Sequence, residues 1–233
     1  QIECLQTTAA LEAGRNLVYS APTGAGKTLV AEVLAVRTLL HAGKRVLFVV
    51  PYVSIVIEKV DYFSRLYGQE GIPVQGYCSG APPRGGFSNS TASWGTEGSS
   101  LPELSVCTIE KASALVTAML ADDANLDLGC VIVDEAHMIP IVDGDGMYRR
   151  LLTDMRQINP ALRVIGLTAT PFRMSSGPIC VPPPDGILNS ICFEIGVREV
   201  IRDGFLSPLK SKAGRFKPDF QQLHVRAGEF VAD

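Results

Sequence analysis

Short apolar runs alternate with longer amphipathic stretches through the first 168 residues of the chain. The runs are continuously apolar, which is typical of strands that are covered on both faces in a parallel sheet. Runs of this kind predict six strands, at Asn16–Ser20, Arg45–Val50, Val74–Cys78, Leu104–Thr108, Gly129–Asp134 and Arg163–Thr168.

Four helices are predicted between these strands. In Lys27–Leu40 the expected apolar face is made of Val30, Val33, Leu34 and Leu40. Weaker patterns predict helices at Val53–Tyr67, Lys111–Leu120 and Gly146–Gln157. Strand–helix alternation predicts an α/β fold, with a mostly parallel sheet and helices on both faces. Such sheets bind ligands at the carboxyl ends of their strands, so candidate chemistry is expected there.

Two stretches interrupt the alternation. In residues 79–103, fourteen of the 25 residues are Gly, Ser or Pro, which predicts a flexible insertion. The alternative is a lid in which Arg84, Phe87 and Trp94 contact a strand of nucleic acid. The second stretch, Gly177–Gly186, contains four prolines and is expected to lead out of the core sheet.

The composition mainly excludes certain classes of protein and site. A net charge of −3 is not that of a strongly basic nucleic-acid-binding domain. No apolar run reaches the roughly 18 residues that a membrane span needs, so no membrane association is expected. We expect an intracellular protein, nuclear in a eukaryote or cytoplasmic in a bacterium. Its six cysteines form no CxxC pair, and we interpret them as small apolar residues rather than zinc ligands or disulfides.

Residues 21–28, APTGAGKT, have the pattern of a phosphate-binding loop, with Ala21 at the position usually held by glycine. A predicted strand precedes the loop and a predicted helix follows it, as this motif requires. Backbone N–H groups and the helix N-terminus would face the phosphates, Lys27 would contact the terminal ones, and the Thr28 hydroxyl would bind Mg²⁺. The predicted nucleotide contacts are Thr23, Gly24, Ala25, Gly26, Lys27, Thr28 and Leu29. A glycine-rich turn that binds nothing is the disfavoured alternative.

A second acidic element lies about a hundred residues downstream. The apolar run CVIVDEAH ends in two carboxylates, which places Asp134 at the carboxyl end of a predicted strand. Asp134 is expected to hold Mg²⁺ and Glu135 to polarise the attacking water. The alternative is that the two acids merely cap the following helix.

The segments APTGAGKT, DEAH and GLTATP occur in this order, each at the end of a predicted strand. Together they resemble the first RecA-like lobe of a superfamily 2 helicase of the DEAH type. The resemblance implies a RecA-like P-loop NTPase fold with ATP and Mg²⁺ as cofactors. It further implies that Thr168, Ala169 and Thr170 couple the nucleotide site to nucleic acid. His137 is their expected partner and joins Lys27, Asp134 and Glu135 in the catalytic set.

Two further segments, VPYVSIVIEK at 50–59 and CTIEKA at 107–112, resemble the motifs with which these helicases hold one strand by its phosphates. They predict nucleic-acid contacts at Ser54, Thr108, Glu110 and Lys111. Gln1 resembles the adenine-reading glutamine of the Ski2-like branch. The implied partners are nucleic acid, with single-stranded DNA favoured and RNA possible, and a second RecA-like lobe of the same full-length protein.

The two parts of the chain resemble different branches. NLVYSAPTGAGKTLVAEVL and GIPVQGYCSG resemble the helicase domain of theta-type DNA polymerases, which usually has leucine where this chain has Ala136. From GDGMYRRLL onward, through EIGVREVIRDGFLSPLKSKAG, the chain resembles bacterial RadD-type DNA-repair ATPases. The join falls near residues 134–146, and both a mixed lineage and a chimeric sequence are open. Because both groups act on DNA, a role in DNA repair is expected either way.

We expect residues 1–175 to form the ATP-binding lobe and residues 176–233 to form an extension toward a second lobe. The chain begins with Gln rather than Met, and only 62 residues follow Pro171, too few for that lobe. An arginine supplied across such a site accelerates phosphoryl transfer by about 10³–10⁵ in GTPases. The chain alone is therefore expected to bind ATP and hydrolyse it slowly. The rival functions are a catalytically incomplete nucleic-acid-binding module and a P-loop ATPase that remodels protein complexes.

Overall fold

A computed structural model describes residues 16–78, 87–88, 103–121, 128–139, 146–173, 177–181, 186–210, 212, 223–226 and 229–232. In chain order, the strands within these ranges are β1 Leu17–Ser20, β2 Arg45–Val50, β3 Val74–Tyr77, β4 Phe87–Ser88, β5 Leu104–Thr108, β6 Leu128–Asp134, β7 Arg163–Thr168, β8 Phe172–Arg173, β9 Gly177–Pro178, β10 Ser190–Glu194, β11 Leu223–Arg226 and β12 Glu229–Ala232. The α-helices are α1 Lys27–His41, α2 Val53–Tyr67, α3 Ile109–Ala121, α4 Met147–Ile158 and α5 Val197–Arg202, with 3₁₀ turns at Gly68–Glu70 and Ala136–Met138.

Eight strands form one sheet in the order β10-β1-β7-β6-β2-β5-β3-β4, and every neighbouring pair is parallel. All eight strands therefore begin at one edge, called here the amino edge, and end at the other, the carboxyl edge. Ser20 pairs with Thr168, and Asp134 with Leu167, so these strands end side by side. The predicted α/β fold with a mostly parallel sheet is confirmed.

Helices cover both faces of the sheet, and strand β2 illustrates why its sequence is continuously apolar. Val46, Phe48 and Val50 pack into one core with α1 and α2, while Leu47 and Val49 pack into a second core with α3 and α4. Successive side chains of a strand point to opposite faces, so both sets must be apolar when both faces are covered.

The apolar face predicted for helix α1 is only partly correct. Val30 and Leu34 are buried, but Val33 and Leu40 are 40% and 52% exposed. The buried face is completed by Ala31, Ala35 and Leu39. Small alanine side chains thus form part of the buried face for which the larger Val33 and Leu40 were expected.

The prediction that the chain leaves the sheet after Gly177–Gly186 is wrong. Strand β10 returns to the sheet and pairs in parallel with β1, beginning at Ser190 opposite Leu17. The sheet therefore extends past the boundary expected at residue 175. The insertion expected at 79–103 lies outside the described residues except for Phe87–Ser88 and Glu103.

Five cysteines lie in the described ranges, and none of these forms a disulfide. Cys78, Cys107 and Cys130 are buried, and burial raises the pKa of the Cys130 thiol to about 12. Such thiols behave as small apolar groups. None of the helices described is both long enough and apolar enough to cross a membrane.

Candidate active site

The loop between β1 and α1 is held at its base by neighbouring strand β7. The Ala21 N–H donates to the Thr168 carbonyl at 3.0 Å, and the Ala25 N–H donates to Pro22 O at 3.1 Å. Gly24 and Gly26 have φ values of 82° and 79°, in the left-handed region that strains other residues. The Gly26 N-cap forms no side-chain cap hydrogen bond, and the positive end of the α1 dipole lies at this loop.

Two cations lie beside this loop. The Lys27 Nζ donates to the Ala21 carbonyl at 3.1 Å, so the ammonium is held across the mouth of the loop. Lys59 of α2 approaches from the other side, with its Nζ 3.4 Å from Thr28 Oγ1. Sequence reasoning missed Lys59, although it ends the VPYVSIVIEK segment, because nothing local connects it to Thr28, 31 residues away.

Lys59 also lies close to a buried acid on the adjoining surface. Burial raises the pKa of Glu32, while a hydrogen bond from Tyr62 and the positive charge of Lys59 oppose that rise. Lys59 Nζ is 5.9 Å from the centre of the Tyr62 ring. These contacts fix a flexible lysine beside the phosphate-binding loop.

The acidic pair lies at the same carboxyl edge as the loop. Strand β6 ends at Asp134, and only β7 separates it from β1. With neighbouring strands about 4.8 Å apart, the two strand ends lie about 10 Å from each other. The phosphate-binding loop and the acidic pair therefore lie at the same edge of the sheet, within the length of a triphosphate, and their joint role in binding a nucleotide stays a prediction.

Glu135 has an unusual backbone conformation. Its φ of 53° and ψ of 49° make it the one non-glycine residue with positive φ in the described ranges. Its N–H donates to Asp134 Oδ1 at 3.1 Å. Holding such a residue in this conformation costs about 1–3 kcal/mol, and such strain concentrates at functional sites. The turn thus fixes where both carboxylates point.

A chain of contacts connects the acidic pair to strand β7. His137 Nδ1 lies 3.3 Å from Glu135 Oε2 and 3.0 Å from Thr168 Oγ1. Thr168 Oγ1 donates to Thr170 O at 3.1 Å and accepts from the Thr170 N–H at 3.0 Å. The His137 ring thus lies between the Glu135 carboxylate and the Thr168 hydroxyl, and its tautomer decides which of His137 and Thr168 donates in their contact. Ala169 and Thr170 are exposed directly after β7.

Close packing holds the turn after Asp134 against strand β7. Ala136 is fully buried, and a Cβ placed on Gly166 would lie 2.7 Å from the Ala136 Cβ. Atoms cannot approach so closely, so this contact requires glycine at 166. Because Gly166 and Ala136 are both small, His137 comes within hydrogen-bonding distance of Thr168.

The predicted nucleic-acid contacts lie on the β2–β5 part of the carboxyl edge. Ser54 is exposed in the first turn of α2, where no side chain caps the helix. Glu110 is exposed and Lys111 half-buried at the start of α3. Thr108, at the end of β5, is buried. The structure thus places these four residues on the far side of β7 and β6 from the phosphate-binding loop.

The DEAD/DEAH box helicase family model matches residues 1–176. The chain belongs to the DEAD/DEAH box helicase family. Members of this family use ATP, typically with Mg²⁺. The chain is thus a superfamily 2 helicase domain, as its motifs imply. Gln1, the predicted adenine-reading residue, lies outside the described residues.

Relatives agree with this assignment. DNA polymerase theta of Mus musculus is 36% identical over 185 residues, which cover 73% of this chain and 7% of the polymerase. The human protein named Helicase POLQ-like is 35% identical over 170 residues, or 73% of this chain and 14% of that protein. The chain therefore spans a small part of these relatives.

The crystal structure of the Pyrococcus furiosus Hef helicase domain has the same fold. Its TM-score is 0.55 at 25% sequence identity, over 74% of this chain and 34% of that chain. The resemblance of the C-terminal part to RadD-type ATPases stays a prediction.

The residues present fit a magnesium nucleotide. The described residues contain no group of three or more His, Cys, Asp or Glu side chains able to hold a metal. Mg²⁺ needs no such group, since it is commonly bound by one or two carboxylates, waters and the phosphates of a substrate. The Thr28 hydroxyl and the Asp134 carboxylate provide oxygens of the appropriate kind.

Proposed function

We propose that the chain is the ATP-binding lobe of a DNA-dependent superfamily 2 ATPase or helicase that acts in DNA repair, inside the nucleus or cytoplasm. The supporting observation is the arrangement at the carboxyl edge, where the phosphate-binding loop and the acidic pair lie one strand apart. The names of the relatives, a DNA polymerase and a POLQ-like helicase, favour DNA. Single-stranded DNA is the favoured partner, and RNA is the alternative.

Each residue has a role that its position supports. Lys27 and the amides of Gly24–Thr28 bind the phosphates of ATP. Gln1 lies outside the described residues, and its contact with the adenine rests on the resemblance of the sequence alone. Thr28 and Asp134 would hold Mg²⁺, which neutralises charge on the phosphates. Glu135 orients and polarises the attacking water, and the strained backbone keeps its carboxylate in place.

The contacts from Glu135 through His137 to Thr168 would connect this chemistry to movement on nucleic acid. Thr168, Ala169 and Thr170 extend from β7 toward the space in which a second RecA-like lobe would close. We propose that residues 1–175 form the ATP-binding lobe and that residues 176–233, which first add edge strand β10 to its sheet, then lead toward the second lobe. Nucleic acid would run over Ser54, Thr108, Glu110 and Lys111.

The deciding experiment measures phosphate release by the intact protein with single-stranded DNA, with RNA and without nucleic acid. We expect stimulation by DNA, and an approximately 10²–10⁴-fold lower rate in Glu135→Gln, the usual contribution of a positioned base. ATP binding should persist in that variant. The 233-residue chain alone should turn over slowly, with Lys27→Ala as its inactive control.

Three results would contradict the proposal. Unchanged turnover in Glu135→Gln would remove the assigned role of that carboxylate. Turnover that neither DNA nor RNA stimulates would favour an ATPase that remodels protein complexes. Nucleic-acid binding without any phosphate release by the intact protein would favour a catalytically incomplete binding module.

A further inference from the structure

Lys59 connects helix α2 to the phosphate-binding loop. It lies in the second turn of α2 and is half-buried, with its Nζ 3.4 Å from Thr28 Oγ1. An ammonium group has only donors, so Lys59 donates to a lone pair of the Thr28 hydroxyl oxygen. The proposed function assigns the same oxygen to Mg²⁺. Lys59 therefore contacts an atom that the metal ion would also need.

Two cations would meet at this oxygen. Lys59 carries one positive charge and Mg²⁺ carries two, and both are attracted to the lone pairs of a single hydroxyl. Like charges held on one oxygen repel each other strongly, because little water lies between them to screen the interaction. The ammonium must therefore move away from Thr28 when Mg²⁺ binds there. The long, flexible stem of a lysine allows such a movement.

Glu32 provides a second partner for the ammonium on the same side of α1. It follows Thr28 by four residues, the spacing at which helical side chains are neighbours. Glu32 is buried, and its Oε2 accepts a hydrogen bond from the Tyr62 hydroxyl at 3.2 Å. Tyr62 follows Lys59 by three residues on α2, and Lys59 Nζ lies 5.9 Å from the centre of its ring. One group of side chains thus contains the lysine and both of its partners.

The charges around Glu32 favour the movement of the ammonium toward it. Burial raises the pKa of the Glu32 carboxyl, while the positive charge of Lys59 opposes that rise. A nearby cation stabilises the ionised form of such a carboxyl. An ammonium that leaves Thr28 therefore gains an attractive partner at Glu32.

We propose that Lys59 and Mg²⁺ compete for the Thr28 hydroxyl, with Glu32 as the alternative partner of the ammonium. Lys59 is then a positioning residue that sets how strongly nucleotide binding depends on Mg²⁺, an inference that rests on the proposed function. Lys27 differs, since it donates to the Ala21 carbonyl and is assigned to the phosphates. Loss of Lys27 should weaken ATP binding, whereas loss of Lys59 should change the effect of Mg²⁺ on that binding.

Calorimetric titration of the 233-residue chain with ATP tests this proposal, once in excess Mg²⁺ and once in EDTA. Lys59→Met keeps most of the length of the side chain and removes its charge. Magnesium-bound ATP should bind this variant about 3- to 10-fold more tightly, because Thr28 is no longer shared with a competitor. ATP in EDTA should bind about 2- to 5-fold more weakly, because a positive charge near the phosphates is lost. Loss of packing alone would not move the two affinities in opposite directions.

Two variants serve as controls. Lys59→Arg keeps a positive charge at this position and should retain affinities near those of the parent under both conditions. Arg65→Met removes a positive charge from an exposed position of the same helix, where Arg65 pairs with Asp61. It should change neither affinity.

Glu32→Gln tests the second partner of the ammonium. Glutamine keeps an oxygen that can accept from Tyr62 but removes the charge, so magnesium-bound ATP should bind about 2- to 5-fold more weakly. The double variant Lys59→Met/Glu32→Gln has no ammonium to accommodate, so it should bind ATP as Lys59→Met does. An unchanged unfolding midpoint checks that the substitution at buried Glu32 leaves the fold intact.

Weaker binding of magnesium-bound ATP to Lys59→Met would show that Lys59 contacts a phosphate instead. Unchanged binding under both conditions would show that its contact with Thr28 does not affect the metal. Either result would overturn the inference while leaving the phosphate site intact, and additive effects in the double variant would exclude Glu32 as the alternative partner. If the parent chain bound ATP under neither condition, the proposed function and this inference would both fail.

Discussion

At the amino edge of the sheet, Asn16 and Glu103 are buried, whereas Lys27, Asp134 and Glu135 at the carboxyl edge are half-exposed. The polar side chains at the amino edge form hydrogen bonds with other residues of this chain. Asn16 Nδ2 donates to Ile187 O, and Asn16 Oδ1 accepts from the Val164 N–H, both at 2.8 Å. One side chain thereby joins β1 to β7 and to the segment that leads into β10.

The carboxyl edge differs in three respects. Helix α1 begins without a side-chain cap, Lys27 donates to a backbone carbonyl, and the acidic turn is strained at Glu135. Buried, paired polar groups specify a structure, while accessible polar groups on a rigid frame can bind a ligand. The comparison predicts that substitutions at the amino edge lower the stability of the fold, whereas substitutions at the carboxyl edge lower the affinity for ATP.

The largest effect on stability is expected for Asn16→Ala. The substitution leaves the Val164 N–H and the Ile187 carbonyl buried without their partner, which costs about 2–4 kcal/mol in free energy of unfolding. Urea denaturation measures this cost. ATP affinity of the folded fraction should stay near that of the parent.

Arg65→Ala provides the control, since it breaks an ion pair with Asp61 between two exposed side chains. Such pairs contribute about 0–1 kcal/mol. If Asn16→Ala were no more destabilising than Arg65→Ala, the amino edge would not be the structural edge that the contacts suggest.

In contrast to Asn16→Ala, Lys27→Ala should weaken ATP binding and change the stability of the fold very little. Loss of a charged contact to phosphate costs about 1.5–3 kcal/mol, or roughly 10- to 100-fold in ATP affinity. Stability should change by less than about 0.5 kcal/mol, as at other half-exposed sites. Isothermal titration and urea denaturation on the same samples separate the two quantities.

Lys44→Ala is the matched variant, because it removes the same charge just before β2 at the amino edge. It should leave ATP affinity unchanged. Equal loss of ATP affinity in Lys44→Ala and Lys27→Ala would mean that overall charge, rather than the loop, attracts the nucleotide.

The smallest effect is a pH dependence at Glu103. Burial raises the pKa of this carboxyl, although Ser105 and Tyr77 donate hydrogen bonds to it and Arg45 is near. A raised pKa in the folded state favours folding below the ordinary pKa, and this contribution is lost as the pH rises through the folded value. The stability of Glu103→Gln relative to the parent should therefore increase as the pH rises from 4 to 8. A constant difference across that range would show that Glu103 is not held protonated by folding.

Much of the sheet could be predicted from the sequence. The bounds of β2, β5 and β7 agree with the predicted ones, because these interior strands are apolar on both faces. Strand β10 was missed since it lies at the edge of the sheet, where Ile191 and Phe193 are only half-buried and the pattern is weaker. In α1, alanines carry too little hydrophobic signal to mark the buried face.

The candidate site divides in the same way. The loop and the acidic pair could be predicted because each is a short contiguous motif at a strand end. Lys59 could not be found in this way, because it reaches the loop through the packing of a distant helix. The strain at Glu135 depends on the turn over β7, which no local pattern encodes.

The contact between Gly166 and Ala136 has a consequence for hybrids of this domain with its relatives. Exchanging Ala136 for the larger leucine adds three carbons to a fully buried position, and overpacking of this kind costs about 1–3 kcal/mol. Even a single carbon added at Gly166 of β7 would lie only 2.7 Å from the Ala136 Cβ. The DEAH turn and strand β7 should therefore be exchanged together. A hybrid that takes them from different relatives would pack poorly where they meet.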